Sequence, residues 1–167
     1  MINIIHIVDR NRVSSVNKEA VWDASASPVV LPLVMAEYNK YPIIMGYNTW
    51  KSTGEKKIGK VDNIVVSRIS RKLPRGIKSA KDIIHLAKDK KVYNLIGGCN
   101  LLNSVPFDSI NSINLYMLRK DCLSNGKITD FTVFPEHLYD ITTPLDINDL
   151  YQHRYWSKEC GQLTTGC

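Results

Sequence analysis

Short apolar runs alternate with polar and helix-forming segments along most of the chain. The run INIIHIV, residues 2–8, is apolar except at Asn3 and His6, a pattern typical of a strand buried on both faces. Four later runs have the same character and predict further strands. They are PIIMG (42–46), VDNIVVS (61–67), VYNLIGG (92–98) and INLYMLRK (113–120).

Segments with helical features separate several of these strands. SPVVLPLVMAEYNK, residues 27–40, has the length of a helix, and Pro32 within it predicts a kink or a shortened helix. Ser79 is the predicted N-cap of AKDIIHLAKD, residues 80–89, whose apolar positions form one stripe. Shorter helices are predicted at NTWKS (48–52), which stops at Gly54, and near residues 100–104.

The order of these elements predicts a single α/β domain over residues 1–167, with residues 160–167 as a flexible tail. Strands that alternate with crossover helices form mainly parallel sheets with helices on both faces. The late segments TVFP, LYDITTP and YQHRYWSKE have no helices between them, so we expect antiparallel strands and loops at a C-terminal edge. Residues 9–22 are polar and irregular, and they are predicted to form a long loop.

The composition fits that class. A chain of 167 residues has the usual size of one domain, and 44% apolar with 23% charged residues is ordinary for a globular protein. No apolar run is long enough to predict a membrane span. The N-terminal MINIIHIVDR predicts an early strand rather than a signal peptide, so we expect a cytoplasmic protein, and we expect it to be a monomer.

The cysteines predict neither a metal site nor a disulfide framework. They are scattered, without the CxxC pair that brings zinc ligands together, and disulfides are rare in cytosolic proteins. We therefore expect free thiols and no bound metal. The four cysteines are Cys99, Cys122, Cys160 and Cys167.

A series of cations between residues 56 and 81 accompanies the net charge of +6. Aromatic residues are not interleaved with them, as they are in single-strand platforms, so nucleic acid is not an expected partner. The cations predict a solvated face, or a positive field suited to a smaller anionic ligand such as a phosphorylated cofactor. They are Lys56, Lys57, Lys60, Arg68, Arg71, Lys72, Arg75, Lys78 and Lys81.

Two stretches, YPIIMGYNTWKS (41–52) and VYNLIGGCNLL (92–102), pass from an apolar strand through glycine into a predicted helix start. In open parallel sheets, ligands bind beyond the carboxyl ends of the strands. A helix N-terminus there attracts phosphate, and Gly46, Gly97 and Gly98 would let a ligand approach the main chain closely. Two such turns in one sheet predict a dinucleotide site, although neither matches GxGxxG or the P-loop.

The chain resembles the dihydrofolate reductases over nearly its whole length. The segments PIIMGYNTWKS, DNIVVSR, VYNLIGGCNLL, INLYML and FTVFP follow one another in that family's order and spacing. The N-terminal strand, the VDRNRV loop and Trp22 are similar to the family's opening. The resemblance implies a dihydrofolate-reductase-like fold and NADPH-dependent reduction of 7,8-dihydrofolate to tetrahydrofolate, a reaction of one-carbon metabolism.

The resemblance also implies where the cofactor binds. The first glycine turn would hold the pyrophosphate and a sugar, the second would line the other phosphate and the nicotinamide, and the segment after the third strand would bind the 2′-phosphate. Tyr47 stands where the family usually has a basic residue, so NADH stays open as the cofactor. The implied cofactor residues are Gly46, Tyr47, Asn48, Thr49, Ser67, Arg68, Ile96, Gly97, Gly98, Cys99, Asn100 and Leu101.

Two conformational features come with the same resemblance. The Gly97–Gly98 peptide is expected to be cis, because the corresponding peptide of the family usually is. The loop through residues 12–22 corresponds to a mobile loop that closes over the nicotinamide and excludes water from hydride transfer.

The substrate half departs from the family pattern. The carboxylate that binds the pterin ring is missing from its expected place, where Ser27 or Val30 stands, and Asp23 is the nearest acid. Asp23 is therefore the candidate proton-transfer group, and Trp22 is the candidate holder of an ordered water. Leu118 replaces a threonine, and Lys60 stands in for an arginine. The implied substrate residues are Ile5, His6, Val30, Leu31, Val34, Lys60 and Leu118.

Two other functions remain open beside dihydrofolate reduction. The chain could be a catalytically impaired or inactive relative that keeps the fold and nucleotide binding and serves as a binding or assembly protein. It could also resemble the reductases of riboflavin synthesis, which share the fold, lack the pterin carboxylate and act on a ribosylaminopyrimidine.

Overall fold

A computed structural model describes residues 1–17, 19–21, 30–123, 130–147 and 151–159. The strands of this part are β1 (Ile2–Asp9), β2 (Val13–Val16), β3 (Glu19–Ala20), β4 (Ile43–Gly46), β5 (Asn63–Val66), β6 (Ile77–Ala80), β7 (Tyr93–Ile96), β8 (Ile110–Leu118), β9 (Phe131–Val133), β10 (Thr143–Ile147) and β11 (Tyr151–Ser157). Its helices are α1 (Val30–Tyr38), α2 (Tyr47–Ser52), α3 (Ile83–Ala87), α4 (Cys99–Leu102), α5 (Glu136–Asp140) and a 3₁₀ turn at Phe107–Ser109.

The large sheet has eight strands in the order β10-β11-β8-β1-β7-β4-β5-β6. All neighbours from β8 to β6 are parallel, whereas β11 pairs antiparallel with β8 and β10 pairs antiparallel with β11. The predicted class, an α/β fold with a mainly parallel sheet and an antiparallel C-terminal edge, is confirmed.

Two hydrophobic clusters lie on opposite faces of this sheet, because side chains alternate along each strand. On β1, Ile4 and Val8 join the first cluster, whereas Ile5 and Ile7 join the second. The first cluster packs the sheet against α3, α4 and α5, and the second packs it against α1 and α2. The second cluster consists of Ile5, Ile7, Val34, Tyr38, Ile43, Met45, Trp50, Val65, Ile96, Tyr116, Leu118 and Tyr151.

Helix α1 accommodates its proline at the N-terminal end. The helix runs Val30–Tyr38, so Pro32 is its third residue. The first N–H groups of a helix have no partner within it, and a proline there removes no helical hydrogen bond. The helix is nine residues long, shorter than the predicted segment 27–40, of which residues 27–29 lie outside the described part.

Three predictions of local structure are wrong. The late segments were predicted to have no helix between them, but α5 lies between TVFP and β10. The segment 9–22 is not only loop, because β2 and β3 pair with each other and β9 pairs with β2 in a small three-stranded sheet. Ser79 is not a helix cap, because it lies in β6 at the edge of the large sheet. Asp82 caps α3 instead, and its Oδ1 accepts a hydrogen bond from the His85 backbone N–H at 2.8 Å.

Candidate functional site

The two glycine turns lie side by side at one edge of the sheet. Strands β4 and β7 are parallel neighbours in which Met45 is opposite Ile96, so both turns leave the sheet in the same direction. A Cβ built on Gly97 would lie 2.5 Å from Cγ2 and 2.6 Å from Oγ1 of Thr49, so this position has no room for a side chain. The second turn therefore rests directly against the start of α2.

The main chain of the second turn has the left-handed conformation that favours glycine. Gly97 has φ of 64° and Gly98 has φ of 69°. The expected cis peptide between them is wrong, since the described residues contain no cis peptide bond. Two successive left-handed glycines turn the chain here through a trans peptide. Gly98 is exposed and Gly46 is half-buried, so both can be approached by a ligand.

The segment corresponding to the predicted mobile loop contacts this second turn. Cys99 is buried, and its Sγ lies 3.2 Å from Oγ of Ser14 in β2. The Ser14 hydroxyl also lies 2.8 Å from Oγ1 of Thr132 in β9. The small sheet is thus attached to the turn through a chain of hydroxyl and thiol contacts.

Asp9 fixes the beginning of the same segment. Its carboxylate is fully buried, and Oδ1 accepts hydrogen bonds from the backbone N–H groups of Asn11 at 2.8 Å and Val13 at 2.9 Å. Oδ2 accepts a third hydrogen bond from the backbone N–H of Cys122 at 2.9 Å. One side chain therefore joins the end of β1, the start of β2 and the segment after β8. Sequence reasoning missed this role, since an acid at a strand end gives no local signal of a partner 113 positions away.

A surface pocket of about 300 Å³ continues the edge beyond the ends of β5 and β6. Ser67 and Arg68, both predicted to bind phosphate, belong to it. The Ser67 backbone N–H donates to the Ala80 carbonyl at 3.0 Å, and its hydroxyl donates to the Ile69 carbonyl at 2.9 Å, so Ser67 also shapes the turn. The lining residues are Val65, Ser67, Arg68, Ile69, Ser70, Arg71, Leu73, Ser79, Ala80 and Lys81.

The pocket contains two cations, Arg71 and Lys81, that were not predicted as binding residues. Their signal in the sequence was the series of cations between residues 56 and 81, which was also compatible with a solvated face. The structure divides these cations into two groups. Some line the pocket, whereas Lys78 lies outside the lining and forms an ion pair with Asp62, with an N–O distance of 2.6 Å. The guanidinium carbon of Arg71 lies 4.4 Å from the ring centroid of Tyr47, the first residue of α2.

Three of the predicted substrate residues meet in the second cluster. Ile5, Val34 and Leu118 expose 1%, 0% and 2% of their surface, and Ile96 from the second turn belongs to the same cluster. Glu37, near the C-terminal end of α1, is an acid whose charge acts on this cluster. Burial and, to a smaller extent, Glu37 raise the pKa of Tyr116 to about 12.

His6 is not brought together with these residues. Its ring lies toward the first cluster, with its centroid 5.3 Å from that of Phe134. Burial lowers the pKa of His6 to about 4, and neither ring nitrogen has a hydrogen-bond partner. The expected position of His6 near the substrate residues is therefore wrong, because the alternation of β1 places His6 and Ile5 on opposite faces.

Of the remaining predicted catalytic and substrate residues, Lys60 has a described side chain. Val30 and Leu31 begin α1, but their side chains lie outside the description, as do Trp22 and Asp23 altogether. Lys60 is exposed, and its backbone N–H donates to Oδ1 of Asn39 at 2.8 Å, just beyond the end of α1.

In the described part of the chain, the buried acid is Asp9, and three backbone N–H groups occupy its oxygens. No group of three or more His, Cys, Asp or Glu residues in that part is arranged to hold a metal ion. Within the same ranges, no helix has the length and hydropathy needed to cross a membrane.

Comparison with known proteins agrees with the fold of this chain. A search of curated protein sequences returned no match. Among solved structures, dihydrofolate reductase from Enterococcus faecalis, complexed with NADP(H) and RAB-propyl, matches with a TM-score of 0.72. The alignment has 14% sequence identity and covers 94% of this chain and 95% of that chain, so it shows a shared fold. The family model described as "Dihydrofolate reductase" matches residues 1–121, which is most of the sequence. The chain belongs to the dihydrofolate reductase family.

Proposed function

We propose that this protein reduces 7,8-dihydrofolate to tetrahydrofolate with NADPH as hydride donor. The observation that carries the proposal is the direct contact between the two glycine turns, where Gly97 has no space for a Cβ beside Thr49. Such adjacent turns at the carboxyl edge of a parallel sheet suit a dinucleotide, whose two phosphates need main-chain N–H groups and close approach.

The carboxyl edge provides the cofactor contacts in this proposal. Residues 46–49 hold the pyrophosphate and one sugar, and residues 96–101 line the other phosphate and the nicotinamide. Ser67 and Arg68 bind the 2′-phosphate. The bound cofactor supplies the hydride, and the protein positions it and excludes water.

The second cluster provides the substrate contacts. Ile5, Val34 and Leu118 form an apolar floor, and Lys60 attracts the substrate's carboxylate. Val30 and Leu31 stay predicted contacts. Proton delivery is the weak element, because no acid stands at the family's usual place. A missing proton-transfer group lowers kcat by roughly 10²–10⁴-fold, about 3–5 kcal/mol in activation free energy.

A specific observation favours a second candidate, a non-catalytic relative that binds nucleotide. Ile5, Val34 and Leu118 expose at most 2% of their surface and therefore offer little contact area to a pterin ring. A protein with an intact cofactor edge and a closed substrate cluster would bind NADPH without turnover.

The direct test is loss of NADPH absorbance in the presence of dihydrofolate, with calorimetric titration of NADPH alongside it. Turnover supports the reductase, and saturable NADPH binding without turnover supports the non-catalytic relative. If turnover occurs only with a ribosylaminopyrimidine, that compound and not dihydrofolate is the substrate. If neither NADPH nor NADH binds at millimolar concentration, the enzymatic proposal is wrong.

Asp23→Asn tests the candidate acid within the reductase proposal. A fall of roughly 10²–10⁴-fold in kcat, with a changed pH profile, would assign proton transfer to Asp23. Unaltered turnover and pH dependence would remove Asp23 from the mechanism.

The cytoplasmic location and the monomeric state stay predictions.

A further inference from the structure

We propose that Arg71, held against the ring of Tyr47, makes the cofactor site selective for a dinucleotide with a 2′-phosphate. The inference rests on the proposed function, because it concerns which nicotinamide cofactor the carboxyl edge binds. It adds a specificity-determining residue outside the set that the family resemblance implies.

Tyr47 anchors the arrangement. It is the first residue of α2 and is half-buried against the second cluster, so its ring has a fixed position. Gly46 is opposite Val66 in the register of β4 and β5, which makes Tyr47 and Ser67 neighbours at the carboxyl edge. The ring thus stands next to the pocket beyond β5.

Arg71 comes to this ring from the segment that follows β5. Its guanidinium carbon is 4.4 Å from the ring centroid of Tyr47, within the range of a cation–π contact. The same residue lines the pocket together with Ser67, Arg68 and Lys81. The aromatic ring therefore holds a cation at the pocket wall, where a side chain on a surface loop would otherwise sample many rotamers.

The pocket cations are available to an anion. In the described part of the chain, no carboxylate lies within ion-pair distance of Arg68, Arg71 or Lys81, whereas Lys78 nearby is paired with Asp62 at 2.6 Å. A planar guanidinium can donate two parallel hydrogen bonds to phosphate oxygens, which a point charge on lysine cannot. A phosphate monoester adjoining an adenosine sugar fits this charge and this geometry.

The arrangement also accounts for the missing basic residue after Gly46. Tyr47 provides no charge, but its ring face positions the charge of Arg71 at the same end of α2. The cation is thus supplied from a different segment. A site built to pair a phosphate discriminates against a ligand without it, because its cations then stay unpaired.

The experiment compares ligands that differ only in the 2′-phosphate. Affinities of NADPH, NADH, adenosine 2′,5′-bisphosphate and adenosine 5′-monophosphate are measured by calorimetry for the wild type and for Arg71→Ala. The variant should lose about tenfold in affinity for the two 2′-phosphorylated ligands and less than about twofold for the other two. Arg75→Ala is the matched control, since Arg75 is an exposed arginine of the same segment that does not line the pocket.

Variants of Tyr47 test the ring itself. Tyr47→Leu should lower the preference for 2′-phosphorylated ligands by about threefold to tenfold, because the guanidinium loses its fixed position. Tyr47→Phe keeps the ring and should restore most of that preference. Thermal unfolding with and without ligand separates this effect from a loss of folded protein.

Several outcomes would overturn the inference. If Arg71→Ala and Arg75→Ala lose equal affinity for the 2′-phosphorylated ligands, the effect comes from net charge and not from the position of Arg71. An unchanged ligand preference in Arg71→Ala, with the wild type still favouring NADPH, would remove Arg71 and leave the proposed function standing. A wild type that binds NADPH and NADH equally would do the same, whereas a wild type that binds neither would end both proposals.

Discussion

The carboxyl edge of the sheet is formed mainly by backbone atoms, whereas the second cluster beneath α1 is formed by side chains. The edge consists mainly of backbone, with glycines at Gly46, Gly97 and Gly98 and a strand register that aligns neighbouring turns. The side chains of the second cluster come from strands and helices far apart in the sequence, such as Ile5 in β1, Val34 in α1 and Leu118 in β8.

This difference explains why the cofactor half of the family pattern survives and the substrate half does not. A main-chain cradle tolerates many substitutions so long as its glycines and register remain. A pterin site depends on single side chains, and replacing one acid removes both its charge and its hydrogen bonds. In the proposed reaction, hydride transfer depends on the first region and efficient proton transfer on the second.

Gly97→Ala should break the carboxyl edge with the largest effect. The new Cβ would lie 2.5 Å from Thr49 Cγ2 at a φ of 64°. Strain and overpacking together should cost about 2–5 kcal/mol in unfolding free energy, measured by urea denaturation. NADPH affinity should fall by about tenfold or more, since the second turn must move away from α2.

Gly54→Ala is the matched control for that prediction. Gly54 has a similar φ of 71°, but a Cβ there would meet nothing within 4 Å. It should cost only the backbone strain, about 1–2 kcal/mol, and leave NADPH affinity unchanged. Equal effects of the two substitutions would show that the Gly97–Thr49 contact has no special role.

How far each region could be predicted follows from the same contrast. Strands β4 and β7 and their glycine turns were read correctly because a continuous apolar run ending in glycine is a local signal. Strand β6 was missed because IKSA lies at the sheet edge and is stabilised by pairing with β5 rather than by its own pattern. Ser79 and Asp82 can both cap a helix, and the end of β6 decides between them.

Long-range placement was the other limit. Ser67 and Arg68, which the family resemblance implied, follow a recognisable strand and lie in the pocket beyond β5. Arg71 was not predicted, since its contact with Tyr47 depends on the path of a loop between β5 and β6. His6 was expected near the substrate residues, and the error came from the face of β1 rather than from the strand itself.

His6 gives a second way to sharpen the comparison, through pH. Its pKa is lowered from 6.5 to about 4 by burial, so the unfolded chain binds a proton between these values that the folded chain does not. The contribution of His6 to stability is therefore complete above pH 6.5 and is lost as the pH falls toward 4. The loss should approach about 3 kcal/mol in unfolding free energy.

His6→Leu should remove this part of the pH dependence, as measured by urea denaturation between pH 7 and pH 4 relative to the wild type. His85→Leu, at an exposed position of α3, should leave it in place. If turnover is found, its pH profile should be the same in the wild type and His6→Leu, because the ring faces the first cluster. A changed pH profile would show that His6 contributes to the substrate site.

Asp9 joins the end of β1 to the start of β2 and to the segment after β8, and Asp9→Asn should have the smallest effect of the three main substitutions. An asparagine can accept through one oxygen only, and its NH₂ group would face a backbone N–H that the carboxylate now accepts. We expect a loss of about 1–3 kcal/mol in unfolding free energy. Asp82→Asn should change it by less than about 0.5 kcal/mol, because asparagine caps a helix as well as aspartate does.

The two regions should respond differently to Asp9→Asn. Ser14 lies in β2, and its hydroxyl contacts the Cys99 thiol of the second turn at 3.2 Å. Because the substitution loosens the start of β2 and weakens this contact, NADPH affinity should fall by about 2–5-fold. The second cluster keeps its packing, and the substrate KM at saturating NADPH should stay the same. A variant that raises the substrate KM without weakening NADPH would show that this segment serves the substrate cluster instead of the carboxyl edge.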